Sequence, residues 1–178
     1  MSIIKEWFNI EELKNVRNLV ICAIMVALNV VLSLFEIPLF GNTIMIGFQF
    51  LALVVVGYLY GPMPAAIVGG IGDIIGAMLF PKGIFFPGFT LNAMVEGFIY
   101  GVFFYKKQVD IKRIMVAFFI QLILVSFIMT PTWIYILYSK NLLLTKMVYI
   151  TKIGKYPIDV LITYLFLKIL NRSGVLKK

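Results

Sequence analysis

The stretch LVICAIMVALNVVLSLF, residues 19–35, runs for seventeen residues without a charge between Arg17 and Glu36. A helix crossing the hydrocarbon core of a bilayer takes about 20 mostly apolar residues, with a range of about 17–25. This run therefore reads as a membrane span, and the same pattern repeats along the chain. A second run covers 44–60 and stops at Gly61-Pro62-Met63-Pro64. The third, 65–80, is short and glycine-rich and ends at Pro81-Lys82-Gly83. The fourth, 89–105, lies between Pro87-Gly88 and Lys106-Lys107. The fifth, 114–138, is the longest and contains Pro131, which predicts a kink or break. The sixth is 156–170, and the polar stretch 145–155 before it reads as a loop or a broken helix. The expected fold is an all-α integral membrane protein with six transmembrane helices in a single domain, residues 1–178.

Composition supports a lipid environment. Hydrophobic residues make up 62% of the 178 and charged residues 13%, with a mean hydropathy of +1.02. Soluble domains carry about 45–50% apolar and about 25% charged residues, and a soluble fold of this size has too little interior to hide the excess. There is no histidine, which removes the usual imidazole acid–base, triad and zinc chemistry. A lone cysteine, Cys22, excludes an intramolecular disulfide. No G-x-x-x-x-G-K-[ST] loop and no metal-ligand cluster is present, so the chain reads as neither an ATPase nor another enzyme, with no cofactor or metal of its own. Residues 1–18 carry Lys5, Glu6, Glu11, Glu12, Lys14 and Arg17 and read as a cytoplasmic or interfacial lead-in rather than a cleavable signal. Within it, 9–18 suits a short interfacial helix with Asn9 as its N-cap.

The net charge of +8 is not gathered into the basic stripe that nucleic acid requires. The cations stand instead at the ends of apolar runs. With six spans and a cytoplasmic N-terminus, the inner side holds Lys5, Lys14, Arg17, Lys106, Lys107, Lys112, Arg113, Lys168, Arg172, Lys177 and Lys178. The outer side holds only Lys82, Lys140, Lys146, Lys152 and Lys155. That asymmetry places both termini in the cytoplasm. The five exceptions cluster between spans 3 and 4 and spans 5 and 6, near Trp133, Tyr135 and Tyr138; an interfacial aromatic belt is the commoner role of such residues, but a cationic rim next to them suits an anionic, ring-bearing ligand.

The connection between spans 3 and 4 carries the most shape. Phe85, Phe86 and Phe89 offer flat faces, Pro87 and Gly88 fix the turn, and Thr90 and Asn92 supply polar groups near a helix start. An interfacial aromatic anchor is the plainer reading of the same residues. Asp73 and Glu96 are acids inside apolar sequence, seven residues from Phe80 and from Phe89 respectively. That spacing puts both roughly 10 Å below one end of the helical hairpin, at a shared depth where they can share a proton or a water. A structural polar contact to Gln49, Asn92 or a backbone group is the alternative. Ala23 and Ala27 share one helical face, as do Gly72 with Gly76 and Gly97 with Gly101; for all three pairs close packing within the chain is the commoner role.

Six spans, Ala23-x-x-x-Ala27 and the stretch Leu79-Phe80-Pro81-Lys82-Gly83-Ile84-Phe85-Phe86-Pro87-Gly88-Phe89-Thr90-Leu91 together resemble the S components of energy-coupling factor (ECF) transporters. Within them the folate family carries an LFP-x-G-x-(F/Y)-FPGFTL stretch, followed, as here, by a helix ending in Ile99-Tyr100-Gly101. The likeness covers about 19–107 well and the remainder loosely. It implies a protein of the prokaryotic plasma membrane that captures a vitamin on its outer face and docks on a membrane T component with two cytoplasmic ATPases, which use the ATP. It also implies that Ala23 and Ala27 face the T component, that Phe85 to Phe89 close over the ligand, that Asn92 or Gln49 reads ring edges, and that the lysines after Tyr138, Lys146 and Lys152 among them, face carboxylates. Two departures stand out: Met45-Ile46 precede Gly47-Phe48 where the family often has an arginine, and Met129-Thr130-Pro131-Thr132 interrupts the fifth span. Folate is the first expectation for the ligand; pantothenate, a pyrimidine precursor or a B6 vitamer are the alternatives within the class. An autonomous proton-coupled transporter using Asp73 and Glu96 is the alternative outside it.

Overall fold

A computed structural model describes residues 7–35, 37–39, 44–81, 85–137 and 142–173 of the protein, with side chains described over 7–35, 47–81, 85–137 and 149–173. Six helices are present among the described residues: α1 Val16–Leu34, α2 Phe50–Tyr60, α3 Pro62–Leu79, α4 Pro87–Phe104, α5 Ile111–Leu137 and α6 Leu142–Arg172. Three of them, α1, α3 and α5, are long and apolar enough to cross a membrane, and α2 is apolar but shorter. Their capping follows from local sequence. The Asn15 side chain accepts from Arg17 N at 2.9 Å to open α1, and Asp110 does the same for Lys112 N at 3.3 Å in α5. Proline occupies the first turn of α3 and of α4, where its missing N–H has no helical partner to lose. Gly61, between α2 and α3, has φ +97°, a left-handed conformation that glycine adopts without strain.

Several expected boundaries shift. Residues 44–46 do not begin a helix; they pair as strand β2 (Ile44–Ile46) with β1 (Ile37–Leu39) in an antiparallel hairpin, Ile37 opposite Ile46. Ile44 and Ile46 are β-branched and favour extended backbone, so the second helix starts at Phe50. The otherwise all-helical fold thus includes one short hairpin. The lead-in forms a 3-10 turn, Glu11–Lys14, rather than a helix over 9–18, although Asn9 Oδ1 does accept from Glu11 N at 2.7 Å. The stretch 145–155 is neither loop nor break: α6 runs unbroken from 142 and absorbs Pro157.

Before Pro131 the α-helical pattern is interrupted, though the chain stays helical. Upstream of it α5 widens into a π-helical segment, Leu122–Met129, in which Thr130 N bonds to Val125 O. A proline at 131 cannot donate to the carbonyl four residues back, Phe127 O. The Tyr149 hydroxyl of α6 donates to that oxygen at 3.4 Å. Neighbouring helices re-satisfy freed carbonyls in this way inside membrane proteins.

The core centres on α2. Ala52, Val54 and Val56 have no exposed surface, and Leu53 has 2%. A helix apolar on every side belongs in the middle of a bundle. Around it the Phe50, Tyr100 and Phe118 rings tie α2, α4 and α5 together at centroid distances of 5.1–5.6 Å. The outer helices instead present apolar side chains outward: Val16, Ile24 and Val31 on α1, Phe119 and Ile128 on α5, Ile150 and Ile169 on α6. Such a surface is stable against lipid, not water.

Candidate functional site

The turn into α4 is built around a glycine. A Cβ on Gly88 would collide with the Phe86 ring and stand 2.6 Å from the Trp133 indole. With glycine there, Trp133 of α5 lies against the turn, 5.6 Å from Phe86, which in turn stands 6.1 Å from Phe89. Trp133 Nε1 donates to Asn92 Oδ1 at 2.9 Å, and Asn92 Nδ2 donates to Thr130 Oγ1 at 3.0 Å. An indole N–H can only donate, which sets the orientation of the Asn92 amide. One residue of α4 therefore holds two of α5, and fixes the plane of the indole. The expected role of Asn92 in reading ring edges narrows accordingly, since an amide has two N–H donors and two lone pairs and one of each is committed within the protein. Phe85, half exposed at 51%, and Pro87 border this corner on its open side.

Thr90 faces elsewhere. Two residues beyond Gly88 it points to α3, and its hydroxyl donates to Asp73 Oδ2 at 2.7 Å. Glu96 accepts from the Tyr100 hydroxyl at 2.8 Å, one turn along its own helix. The expectation that the two acids share a proton or a water meets two separate hydroxyl partners instead. Thr90 and Glu96 are six residues apart, about 600° of helical rotation, so they project from different faces of α4.

The lysines divide as well. Lys155 does not join an outer rim: it is 9% exposed, its Nζ donates to Gly47 O at 2.7 Å and lies 3.3 Å from Asp159 Oδ2. Its ammonium also lies 5.1 Å from the Phe50 ring and 5.9 Å from that of Phe48. Lys152, one turn earlier, is partly exposed. Lys82, Lys140 and the side chain of Lys146 lie outside the described residues. Gln49 stands at the start of α2, where its backbone carbonyl accepts from Asn29 Nδ2 at 3.0 Å.

The small-residue pairs separate by helix. Gly97 and Gly101 lie on the backbone of α3, near Ala65 and Pro62. Gly72 and Gly76 face α1 instead: a Cβ on Gly72 would stand 2.5 Å from Asn29 Oδ1, and one on Gly76 3.6 Å from Ser33 Oγ. Ala23 and Ala27 are exposed, so packing within the chain does not account for their spacing.

The structure thus brings Phe86, Gly88, Phe89, Asn92 and Trp133 together and turns Thr90 toward Asp73. Thr130, Asn29 and Lys155 are the residues the sequence reading missed as organisers. The signals were present: a lysine and an aspartate four apart in an apolar helix, and an asparagine in the middle of the first span. Among the described residues no group of three or more His, Cys, Asp or Glu side chains is placed to hold a metal.

A family model described as the S component of the ECF-type riboflavin transporter matches residues 13–172. The folate transporter FolT of Clostridium novyi (strain NT) is 37% identical over 170 residues, 93% of this chain and 96% of that protein. The folate transporter FolT of Streptococcus mutans serotype c is 30% identical over 172 residues, 91% of each chain. A crystal structure of FolT bound with folic acid superposes with a TM-score of 0.79 at 32% identity, over 85% of this chain and 93% of that one.

Proposed function

The chain belongs to the S components of ECF-type transporters, and on that premise we propose that it is the folate-capturing subunit of an ATP-driven vitamin importer. The observation that carries folate is the full-length similarity to folate transporters, at 37% identity over 93% of the chain. The riboflavin in the family model's description is the second reading. In this reading six spans cross the membrane with both termini in the cytoplasm, and the Phe86–Trp133 corner lies at the outer face. There the indole held by Asn92 and the rings of Phe85, Phe86 and Phe89 receive the planar pterin, with Gln49 and the free capacity of Asn92 on its edges. Lys82, Lys146 and Lys152 attract the glutamate carboxylates. The exposed Ala23 and Ala27 let the T component approach α1 closely, and ATP is hydrolysed by the partner ATPases.

Titration of the purified chain with vitamins, followed by the fluorescence of Trp7 and Trp133, tests the substrate. Saturable quenching by folate in the absence of nucleotide is expected, and Trp133→Phe should remove most of the signal. A saturable response to riboflavin or pantothenate with none to folate overturns the assignment. For docking, Ala23→Leu with Ala27→Leu should abolish copurification with the T component and ATPases while folate still binds.

A further inference from the structure

Three residues, Gly47, Phe48 and Gln49, join strand β2 to helix α2, and two of their three carbonyls are taken by side chains from distant helices. Lys155 Nζ of α6 holds Gly47 O at 2.7 Å, and Asn29 Nδ2 of α1 holds Gln49 O at 3.0 Å. The partners lie 108 and 20 residues away in sequence. Phe48 O accepts from Leu51 N at 3.0 Å, and Gln49 O is shared between Ala52 N at 3.2 Å and Asn29, whereas Gly47 is buried before the helix begins and its carbonyl accepts from Lys155.

Both donors are themselves held. Asp159, one turn beyond Lys155, balances the ammonium at 3.3 Å and so keeps a buried cation from standing alone. The Phe48 and Phe50 rings flank the same ammonium. On the other side Gly72 leaves the space that the Asn29 amide fills.

We propose that Lys155, fixed by Asp159, and Asn29 are positioning residues that clamp the root of the β1–β2 hairpin, and that the clamp sets how long the bound vitamin is retained. Neither residue touches the ligand in this account. It rests on the vitamin-capture reading above. The hydrogen bond from Lys155 is charge-assisted and lies where water is excluded, which makes it the stronger of the two. Releasing it frees the hairpin at the point where the chain enters α2, beside Gln49.

The test compares ligand-free hydrogen exchange with folate release in the full-length protein. The double variant Lys155→Met, Asp159→Leu removes both charges at once and leaves no unpaired buried ion. Exchange over 44–51 should rise about tenfold or more in the ligand-free state, with α4 unchanged, and folate should dissociate about tenfold faster. Asn29→Leu should move both readouts the same way by less, and Lys155→Arg should keep most of the protection. Unchanged exchange over 44–51 in a folded double variant overturns the clamp, even with faster release, because a direct ligand contact predicts that pattern. Faster exchange with unchanged release overturns the link to retention. If the double variant does not fold, Asn29→Leu and Lys155→Arg decide by the same two readouts. If the wild type does not bind folate, the substrate assignment fails, while exchange in the ligand-free protein still tests the clamp.

Discussion

Where α4 meets α2 and α3, backbone lies on backbone. A Cβ on Gly57 would stand 2.8 Å from Gly101 N, one on Gly101 2.5 Å from Pro62 N, and one on Gly97 2.7 Å from the Ala65 carbonyl carbon. Where α5 and α6 meet each other and the rest of the protein, long side chains make the connection: Tyr149 to Phe127 O, Trp133 to Asn92, Lys155 to Gly47 O. In lipid no hydrophobic force draws helices together, so close van der Waals packing and interhelical hydrogen bonds do the work. The first region relies on packing, which tolerates no added atom. The second relies on discrete polar ties, which can be exchanged one at a time. The aromatic corner lies on the border between them, with α4 supplying its rigid wall and α5 its indole.

That contrast predicts a graded series of thermal stabilities in detergent. Gly101→Ala should be the most damaging, about 3 kcal/mol or more, at the upper end of overpacking costs because the added methyl meets backbone rather than a side chain that can turn aside. A melting temperature no lower than that of any single polar variant would break the comparison. Trp133→Phe leaves the buried Asn92 Oδ1 without its donor and should cost about 1–2 kcal/mol. If Asn92→Leu combined with Trp133→Phe costs more than the two separately, the tie is not an isolated pair. Tyr149→Phe removes the donor to the carbonyl freed by Pro131 and should cost about 0.5–1 kcal/mol. Replacing Pro131 with alanine in the same chain should recover most of that loss, by restoring a backbone donor to Phe127 O. Gly154→Ala has the opposite sign: nothing lies within 4 Å of the added methyl, so the second region should gain up to about 1 kcal/mol. A loss at Gly154 would show that α6 packs as tightly as α4.

Much of the helical framework was readable from the chain alone, because apolar runs between Gly, Pro and Lys punctuation mark where lipid-facing segments begin and end. The misreadings share a cause. Residues 44–46 are as apolar as the helix after them, and hydropathy does not distinguish an isoleucine in a strand from one in a helix. The polar residues of 145–155 looked incompatible with a helix in lipid, yet Lys155 pairs with Asp159 four residues on, along one face of α6. For the site, the loop stretch from Phe85 to Asn92 announced itself by composition. That Thr90 leaves it for Asp73, while Trp133 enters it from forty-one residues beyond Asn92, depends on which helix faces which.

Transfer into lipid is a property of each side chain in turn, and it adds along the chain. The sequence by itself therefore determined a membrane protein of long apolar helices, and its loop motif tied it to a vitamin-capturing family. Hydrogen bonding in a water-free interior is a property of pairs. Only the tertiary structure decided that Asn92 holds the indole, that Asp73 and Glu96 answer to different hydroxyls, and that a lysine near the end of the chain holds a carbonyl near its beginning. Apart from Glu96 and Tyr100, one turn apart on α4, the partners lie 17 to 108 residues apart in sequence, and only the packing of one element on another brings them within reach.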